Sequence, residues 1–334
     1  MTPGCAKIAT LTSLRLLREA EIRFCMHRKT NQRPGGHTHG PTLQSGYPPQ
    51  SGVTQLAPIR GSVFFMNSLR PATIAFDAVA TSFDSRFGSW SSVAAQRRAV
   101  RVALLQRFLP GGRLLEIGGG TGEDAAFLAE RGFDVVLTDP SPTMVKLATE
   151  KLVPLGASAE ITAGEEMGAF ARRYLAAGRP LFDGVFSNFA ALNCVIDLEP
   201  VARGLASLMK SGGAAMLVLF GTCCPGEVIV ETLRGRPRQA FRRCKRGAVS
   251  ARLGKHQFQV IYHRRSEIER TFSPWFKLEK RIGIGVAVPP SAAEPWISTR
   301  PRLLAALEKL DRVAASPLAP LGDHVLYQFR RKNP

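Results

Sequence analysis

Short apolar runs alternate with amphipathic segments through the middle of the chain. An apolar run bounded by turn residues is typical of a buried strand, and apolar residues recurring every three or four positions are typical of a helix. The runs predict strands at 113–117, 134–138, 159–162, 182–187 and 214–220, with helices between them at 124–131, 142–152 and 198–209. Strands and helices in strict alternation predict a parallel sheet with helices on both faces.

The flanks of this core follow a different pattern. Ahead of it, apolar spacing predicts two helices, at 72–87 and 92–109. After the fifth strand the alternation stops, and the pattern predicts an interrupted basic helix at 227–245, strands at 258–263, 278–288 and 324–330, and helices at 266–272 and 302–313. No internal repeat is visible, so one domain is predicted over residues 71–334.

Residues 1–70 have a composition unlike the rest of the chain. Between Asn31 and Pro58 the sequence is dense in Gly, Pro, Ser, Gln and Thr. Such a segment buries too little apolar surface to offset its ordering entropy, so residues 1–70 are predicted to be a disordered basic extension. Three origins are open: a targeting presequence, against which Glu19 and Glu21 argue, a natural tail, and a true start at Met66.

The overall composition is that of an ordinary globular protein, with 45% hydrophobic and 21% charged residues. The longest strongly apolar stretch, Ala214–Phe220, is far shorter than the roughly 20 residues of a membrane-spanning helix. The six cysteines are scattered without CxxC spacing, which predicts neither a disulfide framework nor a zinc site. The cysteine pattern is typical of a reducing compartment, so we expect a cytoplasmic location. His37 and His39 have no further candidate ligands nearby, so no metal is predicted.

The net charge of +19 is unevenly distributed. Eleven Lys and Arg residues and no acids lie between Arg234 and Arg265, whereas the predicted sheet core is close to balance. The run is interpreted as a solvated surface, as a site for an acidic or phosphorylated substrate or an anionic membrane, or as a nucleic-acid surface. Only Phe241, Phe258 and Tyr262 are available to stack on bases, which argues against nucleic acid.

The turn after the first predicted strand is the chemically informative segment. It reads Glu116-Ile117-Gly118-Gly119-Gly120-Thr121-Gly122. Glycine lets a ligand approach the backbone closely, and in an open α/β sheet such a turn lies at the ligand-binding carboxyl edge. The spacing E-x-G-x-G-x-G differs from the G-x-G-x-x-G of dinucleotide sites. Asp139 ends the next strand, where a carboxylate can accept hydrogen bonds from a ribose diol, so the ligand is predicted to carry an unphosphorylated ribose, as an adenosyl group does.

The segment Leu114–Asp139 resembles the first two motifs of the class I S-adenosylmethionine-dependent methyltransferases. Residues 161–166, 182–195 and 210–220 lie where that family has its later motifs, and the resemblance covers roughly residues 72–330. Within the family, the chain is most similar to small-molecule enzymes such as the quinone- and lipid-biosynthesis methyltransferases. The resemblance implies an α/β fold with a Rossmann-like, seven-stranded, mostly parallel sheet, its last strand antiparallel, and helices on both faces.

The resemblance also implies which residues bind S-adenosyl-L-methionine through the first two motifs. Gly118, Gly120 and Gly122 would form the loop around its methionine and ribose portion. Glu116 would face the methionine amino end. Asp139 would bind the ribose diol.

The later motifs imply further contacts with the same cofactor. Pro140 would lie beside the adenine, and Glu165 or Glu166 would lie near the adenine exocyclic amine. Asn188 and Phe189 would close over the sulfonium centre. The family more often has Asp-Ala after the third strand, so the two glutamates remain alternatives.

Other expectations concern the cover of the site and its chemistry. Phe83 would lie on a helix covering the cofactor, and insertions at about 223–257 and 289–321 would form a substrate lid. No histidine is expected beside the transferred methyl group, so no catalytic base is assigned, although His256 and His263 are the ones to mutate. His324 is noted only as the start of the last strand.

The expected function is S-adenosylmethionine-dependent methyl transfer to a small-molecule acceptor, lipophilic or anionic. The alternatives are an RNA or protein methyltransferase that uses the basic face, and a scaffold that binds the cofactor without catalysis. Peripheral contact with an anionic membrane is a further expectation, and the sequence leaves the oligomeric state open.

Overall fold

The computed structural model describes residues 70–88 and 90–333. The predicted extension over residues 1–70, with His37, His39 and Met66, lies outside the described residues except for Arg70. None of the helices in the described part of the chain combines the length and the apolar character needed to cross a bilayer.

The strands and helices alternate over the first two thirds of the described chain. The strands are β1 Arg113–Ile117, β2 Asp134–Asp139, β3 Ser158–Ile161, β4 Phe182–Ser187, β5 Met209–Phe220, β6 Ala248–Leu253, β7 His256–Ile261, β8 Phe276–Ile284 and β9 His324–Arg331. The helices are α1 Pro71–Asp77, α2 Ala80–Phe87, α3 Ser91–Arg107, α4 Glu123–Ala129, α5 Pro142–Leu152, α6 Met167–Ala176, α7 Glu199–Leu208, α8 Pro225–Leu233, α9 Pro237–Ala240, α10 Arg265–Phe272 and α11 Pro301–Ala314.

Seven strands form one mixed sheet in the order β3-β2-β1-β4-β5-β9-β8. Strands β1 to β5 pair in parallel, and β9 pairs antiparallel with both β5 and β8. The predicted sheet, mostly parallel with an antiparallel last strand, is therefore confirmed. Because β9 runs against β5, it begins at the edge where β1, β2, β4 and β5 end.

Each face of the sheet buries its own hydrophobic core. One core packs α6, α7 and α10 against the sheet around Phe170, Phe182 and Phe272. The other packs α3, α4 and α5 against the opposite face around Leu104, Leu128 and Leu137. Burial on both faces explains the continuous apolar runs at 135–137 in β2 and at 214–220 in β5.

Several predicted elements need correction. The helix predicted at 72–87 is two helices, α1 and α2, separated at Ala78 and Val79. Strand β5 begins at Met209 rather than at the predicted residue 214, so residues 211–213, which read as a turn, lie within it, next to a register shift against β4. Glycine and serine weaken a strand signal, which is why this half of β5 reads as a turn.

Two elements were missed by the sequence analysis. The sequence does contain a signal for helix α6, because Met167, Phe170 and Tyr174 follow helical spacing; all three are buried. Strand β6 pairs only with β7, in a separate two-stranded hairpin. Its turn contains Gly254 at φ +59°, a conformation that favours glycine.

Helices α1 and α2 pack against the hairpin to form a roof at one end of the sheet. The Phe76 and Phe258 rings meet with centroids 5.6 Å apart, and Ala75 and Tyr262 belong to the same buried cluster. The roof therefore brings together the two helices ahead of β1 and the hairpin, whose first strand lies in the predicted insertion at 223–257. The lid role of the insertions at 223–257 and 289–321 stays a prediction.

Candidate functional site

The glycine loop lies between the end of β1 and the start of α4. Gly118, Gly120 and Gly122 have φ values of +65°, +55° and +82°, in the left-handed region that favours glycine. A Cβ on Gly118 would lie 2.3 Å from the Cβ of Ala191, whereas one on Gly120 would meet nothing closer than the Met144 sulfur at 3.9 Å. The loop is thus closely packed at Gly118 and open at Gly120.

Asp139 joins the glycine loop to the end of β2. Its carboxylate accepts hydrogen bonds from the backbone N–H of Gly120 and of Ser141, each at 2.9 Å. Burial raises the pKa of Asp139 to about 6, although these two hydrogen bonds act in the opposite direction. Asp139 is 7% exposed, so a hydrogen-bond donor that reaches its carboxylate displaces little water.

A buried carboxyl pair lies beneath the loop. Glu116 is 1% exposed, and its Oε2 atom has no hydrogen-bond partner within residues 70–88 and 90–333. Burial raises the pKa of Glu116 well above its ordinary value, and the neighbouring Asp124 carboxylate raises it further. Asp124 itself is satisfied, because it accepts from Arg101 Nε at 2.6 Å and from Asn188 Nδ2 at 2.7 Å. The unpaired oxygen of Glu116 is a ready acceptor for a cationic ligand group.

Arg97 supplies a positive charge near the same carboxyl pair. Its guanidinium lies 4.9 Å from the centre of the Phe189 ring, and its Nε is 3.8 Å from Asp124 Oδ1. That Nε is enclosed and makes no hydrogen bond. Arg97 was not among the predicted site residues, because a single arginine on an amphipathic helix carries no distinguishing signal.

The segment after β4 has an unusual backbone. Phe189 and Ala190 have φ values of +47° and +59°, which are uncommon for residues with a side chain and mark sites of function or strain. Asn188 turns inward to Asp124, while the Phe189 ring lies between Arg97 and His324. The two predicted residues therefore lie at the carboxyl edge, but with different neighbours.

The two glutamates after β3 have different surroundings. Both pair with Arg70, Glu165 at 3.3 Å and Glu166 at 3.4 Å, and Glu166 is the more exposed. Burial raises the pKa of the Cys194 thiol to about 12, and the charges of Glu165 and Asp139 raise it further, so these groups share one neighbourhood. Glu165 is accordingly the better candidate for an adenine contact. Pro140 is half-buried beside Asp139.

Helices α1 and α2 are attached to the site by two aspartates that the sequence analysis missed. Asp77 accepts hydrogen bonds from Ser141 Oγ at 2.5 Å and from the backbone N–H of Thr143 at 2.9 Å. Asp84 accepts from Thr121 Oγ1 at 2.6 Å, within the glycine loop. Phe83, between these anchors, is half-buried against Phe76 and Phe87.

The histidines are placed differently from the expectation. His263 is buried with Nε2 3.0 Å from the Val195 carbonyl oxygen, and His256 begins β7 in the hairpin. His324, noted only as the start of the last strand, stacks on Phe220 with ring centroids 4.8 Å apart and meets the edge of Phe189 at 6.0 Å. His324 therefore lies at the carboxyl edge, since an antiparallel strand starts where its parallel neighbour ends. That no histidine lies beside the transferred methyl group stays a prediction.

A buried arginine organises the charges behind His324. Arg243 donates to Asp323 Oδ1 at 2.6 Å and through Nε to Glu227 Oε2 at 2.6 Å. Cys224, Glu227 and Asp323 have the spacing of a cation site, but the guanidinium of Arg243 already pairs with both carboxylates, and Arg242 pairs with Glu227 as well. This cluster is an ion-pair network of the fold.

Comparison with known proteins identifies the family. A family model described as a methyltransferase domain matches residues 93–269, more than half of the chain. The chain belongs to this methyltransferase family. The match confirms the methyltransferase class expected from the sequence, with S-adenosylmethionine as its cofactor.

Individual relatives are more distant. The biotin biosynthesis bifunctional protein BioHC of Cellvibrio japonicus is 31% identical over 156 residues, which are 45% of this chain and 28% of that protein. The CcbJ methyltransferase from Streptomyces caelestis is 14% identical, covering 78% of this chain and 98% of that one, with a TM-score of 0.48. A methyltransferase from Mesorhizobium loti is 18% identical, with coverages of 71% and 98% and a TM-score of 0.44.

The methyltransferase site fits the polar end of its cofactor. The methionine portion of S-adenosylmethionine carries an ammonium and a carboxylate, and the enclosed, unbonded atoms Glu116 Oε2 and Arg97 Nε are complementary to them. A buried polar atom without a partner costs about 1–3 kcal/mol, which a ligand group recovers. When bound, the cofactor supplies the activated methyl group. The individual binding roles of Glu116, Gly118, Gly120, Gly122 and Asp139 stay predictions.

Proposed function

We propose that this methyltransferase modifies a small molecule. The observation that carries the proposal is the roof over the carboxyl edge, in which Phe76 of α1 packs on Phe258 of the hairpin. The hydrogen bonds of Asp77 and Asp84 hold the same roof to the cofactor loop region. A covered, apolar site suits a compact acceptor. Folded proteins and duplex nucleic acids would need a more open approach.

The protein's contribution to methyl transfer is orientation in a dry site. Direct displacement at the methyl carbon requires the acceptor atom to lie in line with the bond that breaks, and holding it there lowers the barrier. Phe189, Phe220 and His324 line the carboxyl edge where such an acceptor would lie. The named role of the Cellvibrio relative in biotin biosynthesis is compatible with a small acceptor.

The basic run is compatible with an acceptor delivered at an anionic surface. Arg236, Arg238, Lys245, Arg252 and Lys255 are all exposed on α9, the hairpin and the segments between them. Basic residues near an anionic bilayer contribute on the order of 1 kcal/mol each. This arrangement favours a lipophilic or anionic small molecule, and peripheral membrane contact remains part of the proposal.

The experiment follows a radioactive methyl group from S-adenosylmethionine into cell fractions. The full chain is incubated separately with an organic extract, total RNA and total protein, and the Asp139→Asn variant serves as the blank. Label in the organic extract supports the proposal. Label in RNA or protein, lost with the variant, would overturn it in favour of the macromolecular alternatives, and no transfer despite cofactor binding would favour the scaffold.

Salt dependence separates the acceptor classes independently. Binding to RNA falls steeply as salt displaces phosphate contacts, whereas capture of an uncharged lipophilic molecule does not. We expect activity on the organic extract to fall with salt far less steeply than RNA binding would. If activity on the extract falls steeply with salt, the acceptor is anionic or is presented by an anionic surface.

A further inference from the structure

We propose that His324 is the base of the acceptor site and that the acceptor is an aromatic hydroxyl compound. The inference rests on the proposed small-molecule function. It names a residue that faces the carboxyl edge, an acceptor chemistry and a proton route. The observations behind it are the stacking of the His324 ring, its free nitrogen and the charges behind it.

The rings at the carboxyl edge favour a planar acceptor. His324 pairs directly with Phe220 across the β5–β9 ladder, and the two rings stack. The Phe189 ring stands at right angles to His324, with an interplanar angle of 89°. Aromatic rings associate in stacked and edge-to-face arrangements of this kind, each worth about 0.5–1.5 kcal/mol beyond area burial.

The two nitrogens of His324 have different surroundings. Nδ1 is enclosed, makes no hydrogen bond and lies 3.5 Å from Asp323 Oδ2. A carboxylate on that side favours the tautomer with the proton on Nδ1, which leaves the lone pair on Nε2. Among residues 70–88 and 90–333, no group hydrogen-bonds to Nε2, so this atom is available to an acceptor.

The charges around His324 keep it neutral and ready to accept. Burial lowers the pKa of His324 below 6.5, the nearby Asp323 carboxylate opposes that shift, and Arg243 adds to it. Asp323 stays ionised because His324 and Arg243 hold its pKa below 3.8 against the effect of burial.

The proton and the electron pairs balance as follows. The acceptor's O–H bond breaks, and its proton passes to Nε2 of His324 to give an imidazolium. The freed oxygen pair forms the bond to the methyl carbon, and the electrons of the broken carbon–sulfur bond remain on sulfur. Asp323 is a positioning residue, since its carboxylate, 3.5 Å from Nδ1, stabilises the imidazolium.

The test uses 4-nitrophenol, whose phenolate is yellow and whose phenol is colourless. The full chain is loaded with S-adenosylhomocysteine and titrated with the probe at a pH where free 4-nitrophenol is mostly protonated. The expected result is an increase of about tenfold in the phenolate-to-phenol ratio of the bound probe. The imidazole nitrogens of His324, followed by nitrogen NMR, should change to the imidazolium signature on probe addition.

Matched variants separate the base from the ring. His324→Phe keeps an aromatic ring on Phe220 but has no nitrogen, so it should bind the probe without ionising it, and His324→Gln should do the same. His256→Phe, in the hairpin, should behave as the parent. Binding of S-adenosylhomocysteine is measured on every variant and reports whether the fold and the cofactor site persist.

Each result decides the inference. Loss of ionisation in both His324 variants, with S-adenosylhomocysteine affinity retained, supports it. A parent protein that does not bind the probe, binds it without ionisation, or still ionises it without His324 overturns it while leaving the methyltransferase function intact. Label transferred to RNA or protein in the fractionation experiment overturns the underlying small-molecule function instead.

Discussion

The guanidinium of Arg97 lies 4.9 Å from the centre of the Phe189 ring. This contact joins α3 to the strained turn after β4, where Phe189 has a φ of +47°. A cation held over an aromatic face is stabilised by about 0.5–2 kcal/mol and keeps its remaining donors for other partners. The relationship explains how a residue ahead of the glycine motif comes to face the polar end of the cofactor site.

Arg97→Met should weaken S-adenosylhomocysteine binding by roughly 10- to 100-fold, because a charged hydrogen bond contributes about 1.5–3 kcal/mol. Methionine keeps an apolar stem against Phe189. Methylthioadenosine, which lacks the amino-acid end, should bind parent and variant alike in calorimetric titrations. Equal losses for both ligands would show that Arg97 acts only through the fold.

Glu116→Gln should lower S-adenosylhomocysteine affinity while leaving the ligand-free protein as stable as the parent, or more stable. The variant removes a buried carboxyl group whose pKa is raised by burial and by Asp124, so no unfavourable charge remains to be accommodated. Thermal unfolding with and without ligand measures both effects. A large loss of stability without ligand would contradict the binding role.

The affinity for S-adenosylhomocysteine should rise with pH and level off above about 6, the pKa of Asp139. Below that pKa the carboxyl is protonated and loses acceptor capacity for the ribose hydroxyls, so affinity should fall about tenfold per pH unit. Asp139→Asn should be weaker at neutral pH and nearly independent of pH over this range. Calorimetry at several pH values checks both proteins.

In the ligand-free protein, the contribution of Asp139 to stability should have the opposite pH dependence. Because the folded pKa of Asp139 is above the unfolded value of 3.8, the folded state binds the extra proton, and this contribution falls as pH rises from about 4 to about 6. As the pH rises over this range, the parent should therefore lose up to roughly 3 kcal/mol of stability relative to the Asp139→Asn variant. A difference that is constant with pH would contradict the assignment.

Gly118→Ala should destabilise the protein more than Gly120→Ala. Both positions have positive φ and cost about 1–2 kcal/mol for a side chain. Only the Gly118 variant adds a clash, with its Cβ 2.3 Å from the Ala191 Cβ, for a further loss of about 1–3 kcal/mol. Denaturant unfolding of the two variants makes the comparison, and equal losses would show that the loop adjusts freely.

Arg243→Met should cost about 3–5 kcal/mol, because it leaves the buried Asp323 carboxylate without its arginine and Glu227 with Arg242 alone. Arg242→Met is the control: Arg242 is half-buried and, within residues 70–88 and 90–333, forms an ion pair with Glu227 alone, so its loss should cost under about 1 kcal/mol. The pKa of Asp323 is lowered, so its contribution to stability is present above pH 3.8 and disappears as pH falls through the lower folded value.

The sequence by itself determined the α/β sheet and the glycine loop, since these depend on signals that are local in the chain. Strands β1 and β4 and helix α5 have the predicted bounds, because apolar runs bounded by turns and Pro142 at the first helical turn are read over a few residues. The motif Glu116 to Gly122 also marked the turn between β1 and α4, because Gly118, Gly120 and Gly122 each meet a backbone requirement of that turn.

Only the tertiary structure decided which distant residues complete the site. Arg97, Asp77, Asp84 and His324 carry no local signal, and each reaches the carboxyl edge through packing between elements far apart in the chain. His324 is the clearest case, because its position depends on β9 entering the sheet antiparallel beside β5. Sequence periodicity reports which face of an element is buried, but the partner across that face is decided by long-range packing.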